Sequence, residues 1–211
     1  MTMIDWDKVG ERRFETGVDR GVLYLPDGSA VPWNGLTEVS EARGREVKSY
    51  YLDGIKFLDH HVPGAFSGKI KAFTYPDELE VAMGNAEFAP GVVAHDQPAS
   101  LFNLSYRTRV GNDLEGTDHG YKVHILYNLM ASASDVAFAS VGADVTPQVF
   151  EWNLTGTPAT MWGIRPTSHI SIDSRKVSSE LLTTLEGILY GTAEVDPTLP
   201  GIVELLAMVE V

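Results

Sequence analysis

The chain has 211 residues, 44% of them hydrophobic and 21% charged, which is enough apolar material for a sizeable buried core and too much for a disordered chain. Its formal net charge of -13 argues against duplex-DNA binding, because phosphate neutralisation needs clustered Lys and Arg. Cysteine is absent from the sequence, so a disulfide framework and a thiolate metal site are both excluded, and a reducing cytoplasm is the expected place of synthesis.

The first residues, MTMIDWDKVGERRFE, carry acids where a signal peptide needs an apolar stretch. No targeting segment is expected there, and no apolar run reaches the length of a membrane span. Asp27-Gly28 then separates a strand at 21–25 from a strand-like run at 31–40, and Asp53-Gly54 separates 49–52 from 55–58. Both dipeptides favour the positive φ that tight hairpin turns require, so two hairpins are predicted. Residues 66–75 read as a strand that stops at Pro76, which cannot donate to a ladder. Residues 83–99, rich in Gly and Pro with little periodicity, read as a long excursion.

The most regular part is 101–128, two strand-like runs with a glycine-bearing acidic loop between them. In the first run Phe102, Leu104, Tyr106, Thr108 and Val110 share a face, and Asn103, Ser105, Arg107 and Arg109 share the other. In the second, Tyr121, Val123, Ile125, Tyr127 and Leu129 alternate with Lys122, His124 and Asn128, and only Leu126 breaks the pattern. A period of two predicts antiparallel strands that pair with each other, and the loop at 111–120 is expected to project and contact another subunit. Arg107 with Arg109, and Arg12 with Arg13, are the only basic groupings, and solvation or ion pairing with the many carboxylates accounts for both.

Further on, Phe150, Trp152 and Leu154 alternate as inward positions, and 169–173 forms a short strand. One helix is predicted over 179–190, with Leu181, Leu182, Leu185, Ile188 and Leu189 as its apolar stripe, Ser178 as N-cap and Gly191 as terminator. The tail at 197–211 is too apolar to hang free and is expected to pack on the domain or on a neighbour. The expected architecture is mainly β, a single antiparallel β-sandwich domain over 1–211, with an N-terminal arm, long projecting loops and a C-terminal amphipathic helix and tail.

The chain carries no phosphate loop, nucleophile elbow, zinc-protease helix or dinucleotide fingerprint. Asn112, Asp113, Glu115, Asp118 and His119 supply oxygen-rich ligands in a glycine-bearing loop, but not at the alternate spacing of a calcium loop, so a solvated hairpin tip is the favoured reading. His60 and His61, like His119 and His124, fall on opposite faces of a strand and share no metal. Trp152 and Trp162 suit a sugar-binding face, although the alternation around Trp152 favours core. No residue is assigned a catalytic, cofactor-binding or metal-binding role.

ERRFETGVDRGVLYL, VPWNGLTEVSE, AFTYPDE, LSYRTRVGNDLEGTDHGYKVHILYN, FEWNLTGTP, SHISIDS, the LEGILYGT helix and the PTLP tail together resemble tail proteins of long-tailed bacteriophages, especially those of actinobacterial hosts. The resemblance runs in order over nearly the whole chain. It implies a virion structural protein of the major tail, or tail-tube, type: a tail-tube-like β-sandwich that is not an enzyme, assembled in the host cytoplasm. Such subunits associate into stacked rings, usually hexameric, around a channel through which DNA passes without specific binding, and they contact other phage tail proteins. The resemblance brings no cofactor and no catalytic residues. A neck or tip component, a carbohydrate-binding β-sandwich and a metal-dependent enzyme remain as alternatives.

Overall fold

A computed structural model describes residues 3–42, 46–62, 66–138, 140, 147–159 and 165–209. The elements are, in order, β1 (Arg13–Tyr24), β2 (Ala30–Pro32), β3 (Leu36–Ala42), β4 (Glu46–Leu52), β5 (Ile55–Val62), β6 (Phe66–Ala72) and α1 (Glu78–Ala82). They continue with β7 (Ala86–Ala89), β8 (Val92–Ala94), β9 (Phe102–Asn112), β10 (Gly116–Ala133), β11 (Phe150–Gly156), β12 (His169–Asp173), α2 (Ser179–Tyr190) and α3 (Ile202–Val209). The mainly antiparallel β class with a helix near the C-terminus is as the sequence predicts.

The central sheet runs β2-β1-β9-β10-β11-β6-β3, and β12 lies beside the first half of β10. It curls until β3, at one end of that order, approaches β1 near the other. The approach is close enough that a Cβ at Gly21 would lie 2.9 Å from Leu36 and 3.2 Å from Trp33. Inside the curl, Leu23, Ile70, Phe102, Leu104, Tyr106, Leu126, Leu129, Trp152 and Leu154 are buried in one cluster, with Trp33 and Trp152 edge to face at 5.6 Å. Such pairing adds to the large burial of each indole.

A second cluster covers the outer face of the same sheet. Val22, Tyr24, Val123, Ile125, Tyr127 and Ile172 meet Leu185 and Leu189 of α2 and Ile202 and Leu205 of α3. The outward row of β9 is therefore covered at Ser105, while Arg109 at its far end stays exposed. Ser105 is fully buried there, and its small side chain leaves room for the Tyr24 ring, whose hydroxyl lies 3.1 Å from Ser105 Oγ and donates to the Leu189 carbonyl.

Local chemistry sets the boundaries. The turn at Asp53 and Gly54 has φ of 51° and 78°, the double positive φ of a type I′ hairpin, as the sequence predicts. At Asp27-Gly28 the Asp27 carboxylate accepts from the Ser29 amide, and Leu25 and Ser29 close the hairpin of β1 and β2. The run at 31–40 is not one strand. It breaks at Trp33–Gly35, where Gly35 takes φ 78° and a Cβ would sit 2.5 Å from Thr74 Oγ1, and β3 then leaves β2 to pair with β6.

The break of pattern at Leu126 has a physical cause in β10. Asn128 adopts φ 52°, its amide donates to Asn103 Oδ1, and the register slips between Leu126 and Leu129. This bulge lets Leu126 and Leu129 both face inward while Val123, Ile125 and Tyr127 face the helices. The loop predicted at 111–120 is mostly strand: β9 ends at Asn112 and β10 begins at Gly116, so only Asp113–Glu115 form the tip. The excursion at 83–99 contains the small β7–β8 hairpin.

Helix α2 has the predicted caps. The Ser178 side chain accepts from the Leu181 amide, and Gly191 ends the helix at φ 76°. Leu185 and Leu189 are its buried residues, with Leu182 packed beside them. The apolar tail forms α3, which docks on the same outer cluster, while Tyr127 donates to the Pro200 carbonyl at 3.0 Å. Among the described residues no helix is long and apolar enough to cross a membrane.

Candidate functional site

Two features stand apart from the cores: a polar cluster at one end of the curl, and a set of apolar side chains left in solvent. The cluster begins with Tyr106 and Thr108 on β9 and His124 on β10, which share the inward face of paired strands. His169 on β12 lies diagonally from His124 on that face, and Glu41 reaches them from β3. His124 Nδ1 is 3.1 Å from His169 Nε2, and Glu41 Oε1 is 3.4 Å from each of these nitrogens.

Stacked rings and hydrogen bonds surround these groups. The His124 ring stacks on Tyr106 at 4.7 Å with an interplanar angle of 3°, and the Tyr106 hydroxyl donates to Glu41 Oε1. Phe66 packs its edge against His169 at 5.8 Å. On the far side, His124 Nε2 is 3.0 Å from Thr108 Oγ1, which donates to Glu15 at 2.7 Å, and Glu15 also binds Lys122. Burial resists ionisation of Glu41, but hydrogen bonds from His124 and Tyr106 and attraction to His169 outweigh it and hold the carboxyl at about 2. Glu41 is thus a carboxylate at neutral pH in a nearly enclosed position.

The sequence-predicted candidates are placed otherwise. Asn112 is buried, and its Oδ1 accepts from the amides of Leu114 and Glu115, closing the hairpin tip. Asp113 accepts from the Gly10 amide, tying the N-terminal segment to that tip, and Glu115 pairs with His119 at 2.6 Å. Each of these groups already has a hydrogen-bond partner, and the only metal-competent trio among the described residues is Glu41, His124 and His169. Trp152 is core, as its alternation implies, and Trp162 lies outside the described residues. Arg107 and Arg109 are ion-paired as expected, both with Asp19, at 2.7 Å and 3.0 Å, and Arg107 lies over the Tyr121 ring.

Sequence reasoning missed the trio because its members come from three strands. His124 and His169 are 45 residues apart, so no spacing rule connects them. The one local signal is their phase, which places each on the inward side of its strand.

The second feature is the β4–β5 hairpin, which among the described residues pairs only with itself. Tyr51, Ile55 and Phe57 are 66%, 75% and 68% exposed, and Val47, Tyr50, Leu52 and Leu58 are exposed beside them. Tyr50 and Tyr51 are consecutive on a strand, so apolar groups stand on both faces. The segment before β1 adds Met3, Ile4, Trp6 and Val9.

The Asp173–Arg175 pair at the C-terminal end of β12 fixes an acid sensitivity. Hydrogen bonds from the Arg175 guanidinium at 2.8 and 2.6 Å outweigh partial burial and lower the Asp173 carboxyl to about 2, from an ordinary value of about 3.9. Because the folded-state value is the lower one, the stabilisation is complete above the unfolded value and is lost as pH falls through about 2. Thermal melts from pH 5 to pH 2 should show a loss of stability in wild type that is smaller in Asp173→Asn, and equal slopes would contradict the assignment.

No family model matches this sequence, and no curated protein matches it. Among solved structures it is similar to the tube-terminating cap of the anti-feeding prophage, at 9% identity and a TM-score of 0.42, over 82% of this chain and 97% of that one. It is also similar to a chain of the sheath and tube terminator of an extracellular contractile injection system, at 11% identity and a TM-score of 0.37, over 81% of this chain and 99% of that one. A chain of the anti-feeding prophage baseplate gives 9% identity and a TM-score of 0.32, over 80% of this chain and 97% of that one. Likenesses this slight decide neither fold nor function.

Proposed function

We propose that the protein is a non-enzymatic virion component of a phage-type tail, a tail-tube subunit that self-associates into stacked rings around a channel for DNA. The β4–β5 hairpin carries this reading. A two-stranded hairpin alone in water is marginally stable, and one bearing exposed Tyr51, Ile55 and Phe57 gains when a partner covers it. Another copy of the same chain is the partner that the sequence resemblance to tail proteins implies. The exposed Met3, Ile4, Trp6 and Val9 of the N-terminal segment offer a second patch, and a heterologous contact plus a second patch is what ring closure and stacking require.

The charge fits the same role. A channel wall rich in Lys and Arg would release counterions from passing DNA and hold it, whereas a chain at -13 repels it. Acids are accordingly proposed to outnumber bases on the inward face of the ring. Assembled protein should show no binding to duplex DNA even at low salt, where attraction is least screened. Salt-sensitive binding in an electrophoretic or anisotropy assay would overturn the channel role. The carbohydrate-binding alternative is weakened by Trp152, which is spent in the core.

A further inference from the structure

We propose that Glu41, His124 and His169 form a binding site for a divalent transition-metal ion, with zinc as the best-suited occupant, that clasps the end of β3 to β10 and β12. The inference does not depend on the tail reading. It rests first on shape. Ligands about 2.0–2.1 Å from a tetrahedral zinc stand roughly 3.3–3.4 Å from one another. The three edges here are 3.1, 3.4 and 3.4 Å, so the atoms already occupy three corners of that tetrahedron. A water would complete the fourth position, as in zinc sites with three protein ligands.

The hydrogen bonds around His124 orient its ring. Thr108 Oγ1 donates to Glu15, which is ion-paired with Lys122, and lies 3.0 Å from His124 Nε2, so Nε2–H donates to Thr108. Nδ1 is thereby the ring nitrogen turned toward Glu41 and His169.

The outer contacts are also those of metal ligands. A coordinating histidine typically donates its other ring N–H to a polar group that fixes tautomer and orientation, and a coordinating carboxylate is itself hydrogen-bonded. Thr108 and Glu15 fill the first role for His124, and Tyr106 fills the second for Glu41. Glu41 immediately precedes Ala42, the last residue of β3, and β4 opens at Glu46. A bound ion would therefore hold the end of β3 that precedes the hairpin in the chain.

Untagged full-length protein, stripped with a chelator and incubated with Zn²⁺, is expected to retain one zinc per chain after gel filtration and to melt several degrees higher than the stripped form. Glu41→Gln and His169→Ala should lose both the zinc and the shift while keeping the wild-type circular dichroism. Because either variant can fail to fold, wild-type protein loaded with Co²⁺ gives an independent readout: the intense visible absorption of a tetrahedral site is expected. Absence of retained zinc in wild type, binding by both folded variants equal to wild type, or the weak spectrum of six-coordinate cobalt would each overturn the proposal.

Discussion

Leu185→Asp is expected to give protein that does not reach the folded state. Leu185 is 1% exposed, in the middle of α2, where the outer cluster of the sheet meets the helix. Removing a buried leucine costs about 2–5 kcal/mol through lost burial and cavity formation. An aspartate there adds a carboxylate with no partner in an apolar layer, and the sum approaches the whole stability of an ordinary domain. Expression in inclusion bodies, or soluble protein without a cooperative melt, is the predicted outcome. A soluble variant with an unchanged transition would mean that α2 is peripheral to the fold.

The second large effect falls on assembly and leaves folding intact. In a triple variant, Tyr51→Glu, Ile55→Glu and Phe57→Glu, each substitution lies on a hairpin that, among the described residues, makes no ladder with the central sheet. Exposed positions of this kind normally change stability by less than about 0.5 kcal/mol each. Three buried carboxylates in an interface would forbid association. Sedimentation velocity should therefore find a folded monomer at concentrations where wild type forms higher species. Wild-type association by the variant would show that the hairpin is not the contact.

Much of the framework was legible because it depends on near neighbours. The Asp53-Gly54 turn, the alternation of Phe102, Leu104 and Tyr106, and the caps of α2 at Ser178 and Gly191 are each decided within a few residues, and the structure has them. What was not legible depends on distant chain. Nothing near Ser105 or Arg107 announces that α2, with Leu189, covers their face, so a polar row looked solvated. Nothing near Gly35 tells β3 to leave β2 for β6, because Thr74 and Lys71 complete that edge.

The candidate metal site failed to appear in the sequence for the same reason. Glu41, His124 and His169 meet only after the sheet has curled, whereas the acids of the β9–β10 turn, adjacent in sequence and conspicuous, are occupied with the Asn112 turn, Gly10 and His119.

Negative-stain electron microscopy of the concentrated full-length protein tests the central claim most directly. Rings with a central hole, stacking into tubes of uniform width, are the predicted result, and particles that remain single globular subunits at every concentration would contradict it.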